Sequence, residues 1–109
     1  MEPVVEACNA AFHRVTLAAT LDGPGRSRVA VILELASTGA RLLSAGRFQP
    51  GEPVGLWLLP ADSQEMIHAT GKVAAADPSS PSWLWRCRLE LQFDAPLPDD
   101  TLELLVGRT

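Results

Sequence analysis

The sequence predicts an all-β fold: six antiparallel strands closed into a small barrel and followed by a short C-terminal helix. Three observations carry this. Apolar residues alternate with polar ones at a period of two, in segments too short and too regular for helices. These segments recur at spacings of about ten residues, and turn residues rather than helical runs stand between them. An antiparallel sheet of this size must protect its edges by stacking or closing, and closure into a barrel is the economical solution for one small domain.

Residues 1–12 read as an irregular N-terminal segment and 13–109 as the barrel domain. Between Arg14 and Leu21, Val15, Leu17, Ala19 and Leu21 share one face and Thr16, Ala18 and Thr20 the other, which describes a half-buried strand. Asp22-Gly23-Pro24-Gly25 then predicts a hairpin turn, because proline fixes its own φ and glycine accepts positive φ. The returning strand, about 27–35, has a wholly apolar face of Val29, Val31, Leu33 and Leu35 against a mixed face of Arg28, Ala30, Ile32 and Glu34. Ser37-Thr38-Gly39 interrupts the pattern, and Arg41-Leu42-Leu43 resumes it. Phe48-Gln49-Pro50-Gly51-Glu52 marks another turn before the strand 54–59, and a fifth strand spans about 66–75. After Asp77-Pro78-Ser79-Ser80-Pro81-Ser82, the last strand alternates Trp83, Trp85, Cys87, Leu89, Leu91 and Phe93 inward with Arg86, Arg88, Glu90 and Gln92 outward. Pro96 and Pro98 stop the sheet. Asp99 or Asp100 then caps a short helix containing Leu102, Leu104, Leu105 and Val106, ended by Gly107.

A chain of 109 residues suits one domain, and 47% hydrophobic against 20% charged residues is a globular ratio. Nine basic and thirteen acidic residues give a net charge of -4, which argues against unselective binding to nucleic acid polymers or anionic lipid. Only Lys72 is a lysine, and arginine is the better phosphate fork. The longest aliphatic run, Val29 to Leu33, is far short of the roughly 20 residues a membrane helix needs. The start Met1-Glu-Pro-Val-Val-Glu6 lacks an export pattern, so a cytoplasmic protein without membrane insertion is expected. Cys8 and Cys87 are then expected to be reduced thiols.

Residues Leu33-Glu-Leu-Ala-Ser-Thr-Gly-Ala-Arg-Leu-Leu43 resemble the PilZ domain, a bacterial module that senses cyclic-di-GMP, at its strand ending in (Asp/Asn)-x-Ser-x-x-Gly before an apolar pair. Phe48-Gln-Pro-Gly-Glu52 followed by Val54-Gly-Leu-Trp-Leu-Leu-Pro60 is similar to the family's proline-glycine turn and apolar strand, and the strand ending at Phe93-Asp94 to its closing strand. The resemblance covers about residues 9–106 and implies a six-stranded barrel with a C-terminal helix.

It also implies a ligand site, built in the family from an Arg-x-x-x-Arg segment before the first strand and from the (Asp/Asn)-x-Ser-x-x-Gly turn. Guanidinium forks suit phosphates, and a carboxylate accepts from a guanine edge. Arg14 falls on the second arginine and Ala10 on the first. Leu35 occupies the acid position, Ser37 the serine and Ala40 the final glycine, with Gly39 before it. Losing an arginine fork and an acid, at about 1.5 to 3 kcal/mol each, weakens binding roughly a hundredfold to ten-thousandfold.

The resemblance therefore implies a non-enzymatic signalling or adaptor domain in cyclic-di-GMP-linked processes such as motility, pili or exopolysaccharide production. It is expected to bind the nucleotide weakly or not at all and to act through protein contacts. The alternative is a cyclic-di-GMP receptor that binds through Arg14 and Ser37, with Arg26 and Arg28 as auxiliary groups reaching across the barrel end. Trp57 lies on the opposite parity from Val54, Leu56 and Leu58, so it is expected to point outward. With Leu59 and Leu84 it forms a candidate protein interface, including one between copies of the chain. His13 and His68 belong to no spaced ligand group, so no metal and no cofactor is expected. No nucleophile elbow, phosphate loop or carboxylate pair points to catalysis.

Overall fold

A computed structural model describes residues 12–60, 65–78 and 84–106. Six strands, β1 (His13–Gly23), β2 (Arg26–Ala36), β3 (Gly39–Ser44), β4 (Pro53–Leu58), β5 (Ile67–Asp77) and β6 (Cys87–Phe93), precede one helix, α1 (Asp99–Val106). The strands form a closed antiparallel barrel in the order β1-β2-β3-β6-β5-β4, with β4 returning to β1. Every strand thus has two neighbours, and the predicted fold class is the observed one.

The turns behave as their chemistry dictates. Gly23 pairs with Arg26 across the two-residue loop Pro24-Gly25, and Gly25 sits at φ 75°, where only glycine is unstrained. Gly51, at φ 89°, plays the same part after Pro50, and its N–H donates to the Val73 carbonyl at 2.7 Å, anchoring that turn to β5. Inside the barrel, Leu21, Ile32, Leu35, Leu42, Leu56, Leu58 and Leu89 are almost wholly removed from solvent. Burial of each such side chain stabilises the fold by about 1.5 to 3 kcal/mol. The helix carries Asp99 and Asp100 in its first turn, favourable at the positive end of its dipole, and packs Leu102 and Leu105 against the core while Leu104 faces solvent.

Two expectations need correction. The apolar face of Val29, Val31, Leu33 and Leu35 is not the inner face of β2. Ala30 and Ile32 point inward, Val29 is 55% exposed, and Leu35 returns to the core only because the register shifts. Opposite β3, β2 advances two residues from Ile32 to Glu34 while its partner advances one, from Leu42 to Arg41. Leu33 is the extra residue of a β-bulge, and an inserted residue inverts the alternation beyond it. The last strand begins at Cys87, so half-buried Trp85 precedes it, and Trp83 lies outside the described residues. Cys8, Ala10 and Gly107 also lie outside them.

Candidate functional site

Bulges recur where the barrel is concave. The β1–β2 register shifts between Arg14 and Leu17, and the β5–β6 register between Val73 and Ala75. Together with the bulge at Leu33, these irregularities border an open groove of about 920 Å³ crossing five strands. Its charged lining is Arg14, Glu34, Arg41, Asp77, Arg88 and Glu90, three guanidinium groups against three carboxylates. Val15 and Leu33 supply aliphatic surface beside them.

Four of these charges are direct cross-strand partners. Arg14 pairs with Glu34, Glu34 with Arg41, and Arg41 with Glu90, so one row across β1, β2, β3 and β6 reads positive, negative, positive, negative. Directly paired residues share a sheet face. Within the row, Arg41 Nη1 donates to Glu34 Oε1 at 2.9 Å, and the Arg41 guanidinium lies 4.1 Å over the Phe12 ring. Opposite charges on every neighbouring strand leave the groove little net field for a multiply charged anion.

The site residues anticipated from sequence separate. Arg14 lines the groove. Ser37 sits in the β2–β3 turn, where its carbonyl accepts from Leu97 N–H at 2.8 Å and the Thr38 carbonyl from Phe93 N–H at 2.9 Å, tying the turn to the exit of β6. Gly39 follows at a close approach, since a Cβ there would collide with the Leu91 carbonyl oxygen. Leu35, at the acid position, is fully buried, and the carboxylate that β2 brings to the groove is Glu34, one residue earlier. Arg26 is paired with Glu52 at 3.3 Å and stacked 4.1 Å over Phe48, while Arg28 donates to the Ser27 carbonyl at 2.8 Å. Both are thereby engaged around the β1–β2 hairpin, away from the groove lining. Arg41, Arg88 and Glu90 were missed as site residues; the cross-strand register that aligns them is invisible in a linear reading.

Trp57 points outward as its parity requires, but its indole is already held. Its Nε1–H donates to Asp22 Oδ2 at 2.9 Å, and its ring stacks on His68 with centroids 4.1 Å apart. Ser27 Oγ donates to Asp22 Oδ1 at 2.6 Å, and the two hydrogen bonds hold the Asp22 carboxyl below its ordinary value near 3.8. Leu59 is 46% exposed beside this pair, and Met66, the next position across β4–β5, is 49% exposed. Leu84, 40% exposed, belongs to the approach to β6, beyond β5 in the strand order. Among the described residues no three His, Cys, Asp or Glu side chains gather as a metal site, and no helix is long and apolar enough to cross a membrane.

The family model described as PilZ domain matches residues 10–108. The structure of the Bacillus subtilis inhibitor of motility (MotI/DgrA) resembles this one with a TM-score of 0.66 at 15% sequence identity, over 87% of this chain and 46% of that chain. The present chain therefore spans about half the length of that protein, and the likeness is one of fold. No curated protein matches the sequence.

Proposed function

The chain belongs to the PilZ domain family, and from that premise we propose that it is a non-enzymatic adaptor of cyclic-di-GMP-linked signalling, acting through protein contacts and binding the nucleotide weakly or not at all. One observation carries the reading. At the family's acid position stands Leu35, and its side chain is buried in the barrel, so the turn offers no carboxylate there to a ligand. The balanced charge of the groove supports it, because each of its guanidinium groups has a carboxylate as a cross-strand neighbour. The structural neighbour's name, inhibitor of motility, makes the motility apparatus one reasonable source of partners, beside pilus and exopolysaccharide machinery. The same premise favours a cytoplasmic setting.

Isothermal titration with cyclic-di-GMP tests this. Affinity weaker than about 100 μM, a binding free energy smaller than about 5.5 kcal/mol, is expected; micromolar or tighter binding overturns the reading. The receptor alternative draws on Arg14 in the groove, together with Ser37, and makes its own demand: Arg14→Ala must abolish whatever binding is seen.

A further inference from the structure

We propose that the groove is a docking site for an α-helix of a partner protein, one whose exposed stripe alternates acidic and basic residues at i, i+3 or i, i+4 spacing. The proposal rests on the protein-contact reading above and names the surface and the chemistry of the partner.

The row of Arg14, Glu34, Arg41 and Glu90 fixes both order and spacing. Adjacent strands lie about 4.7 to 4.9 Å apart, so four successive strands place four charges along about 14 to 15 Å. Helix residues three or four apart lie about 5 to 6 Å from one another, and four such residues span about eleven positions, or roughly 16 Å at 1.5 Å per residue. The two repeats match. An extended segment presents same-face residues about 6.6 Å apart and runs roughly 20 Å over four of them, leaving the row out of step. The volume agrees too: an open groove of about 920 Å³ receives one side of a short helix, whose diameter with side chains is about 10 to 12 Å. Alternating sign supplies specificity more than strength, because a helix with its charges in another order sets like charges opposite each other.

Competing ligands fit less well. A multiply charged anion over Arg14 and Arg41 meets Glu34 between them. A second copy of this domain offers, among the described residues, one helix, α1, whose sequence DDTLELLV carries acidic residues and no basic one, so it has no alternating stripe.

The test uses two helical alanine-based peptides of equal composition. One carries Glu-Lys-Glu-Lys along a single stripe at i, i+4 spacing, and the other carries Glu-Glu-Lys-Lys. Fluorescence anisotropy at low ionic strength is expected to show the wild-type chain binding the alternating peptide at least tenfold more tightly. Backbone amide shifts should fall on β1, β2, β3 and β6. The double substitution Glu34→Arg with Arg41→Glu keeps the internal pair but makes the row two positive charges followed by two negative ones, and the preference should invert. Glu90→Lys, at an exposed position, serves if the double variant does not fold, and should remove the preference for alternation. Equal binding of both peptides, binding of neither, or a preference unmoved in a folded variant overturns the docking site. If neither peptide binds and cyclic-di-GMP titration remains silent, only the docking proposal fails. Micromolar nucleotide binding that displaces the peptide would refute the adaptor reading instead.

Discussion

Asp22 gathers two donors at the head of the β1–β2 hairpin, the hydroxyl of Ser27 at 2.6 Å and the indole of Trp57 at 2.9 Å. Both bonds favour the ionised carboxylate, with the Ser27 bond the larger influence, so its pKa in the folded chain lies below the ordinary 3.8. The sign of the resulting pH dependence follows. A carboxyl whose pKa is lowered on folding contributes stability that is fully present above its unfolded value and is lost as pH falls through the folded one. The indole N–H resonance of Trp57 is therefore expected to hold its position down to the ordinary carboxylate range and to move only below it. In Asp22→Asn the amide oxygen still accepts the indole proton, and this acid titration should vanish. The same movement in both proteins, followed by nitrogen-edited NMR, would show that another group reports there. Trp57 is thus positioned by a polar clasp and by its stack on His68, and its exposure alone is a poor measure of its readiness to bind a partner.

At the scale of the strand, one inserted residue decides which side chain meets the groove. The bulge at Leu33 turns Glu34 outward and Leu35 inward, so a carboxylate placed at position 35 would enter the core rather than the family's ligand site. Leu35→Asp is expected to cost about 3 to 5 kcal/mol in urea denaturation, the range for an uncompensated buried charge, with no gain in cyclic-di-GMP affinity. A stable variant with restored affinity would mean that the strand shifts register to present the new acid. This element also marks how far the sequence could be read. β1 and β6 show their inner faces directly, because Leu17, Ala19 and Leu21, and Leu89, Leu91 and Phe93, alternate without interruption and are buried as expected. β2 misleads, because its middle, Val29 to Leu33, is apolar on both parities and a bulge leaves no mark in composition. Arg14 is legible from the family resemblance, whereas the row from Arg14 to Glu90 exists only through the pairing of four strands.

For the molecule as a whole, closure couples the strands to one another. An open sheet frays from its edges, but here β1 and β4, the ends of the strand order, pair with each other, and the inner faces of all six strands contribute to one cluster of buried side chains. Local opening of any strand breaks two ladders and exposes shared core, so the barrel should unfold in one cooperative step. Cys87 reports this well. It begins β6 beside Ser44, is 2% exposed, and carries a free thiol. In a Cys8→Ser background, its reaction with a disulfide reagent under conditions of fast reclosing measures the population of the open state. Labelling is expected to accelerate with urea at the slope of global unfolding, and the opening free energy from labelling should equal that from fluorescence. Labelling much faster than global unfolding, with little dependence on urea, would reveal that β6 detaches alone. That result would also undercut the groove, since Arg88 and Glu90 stand on the same strand and keep their places in the charge pattern only while β6 stays paired with β3 and β5.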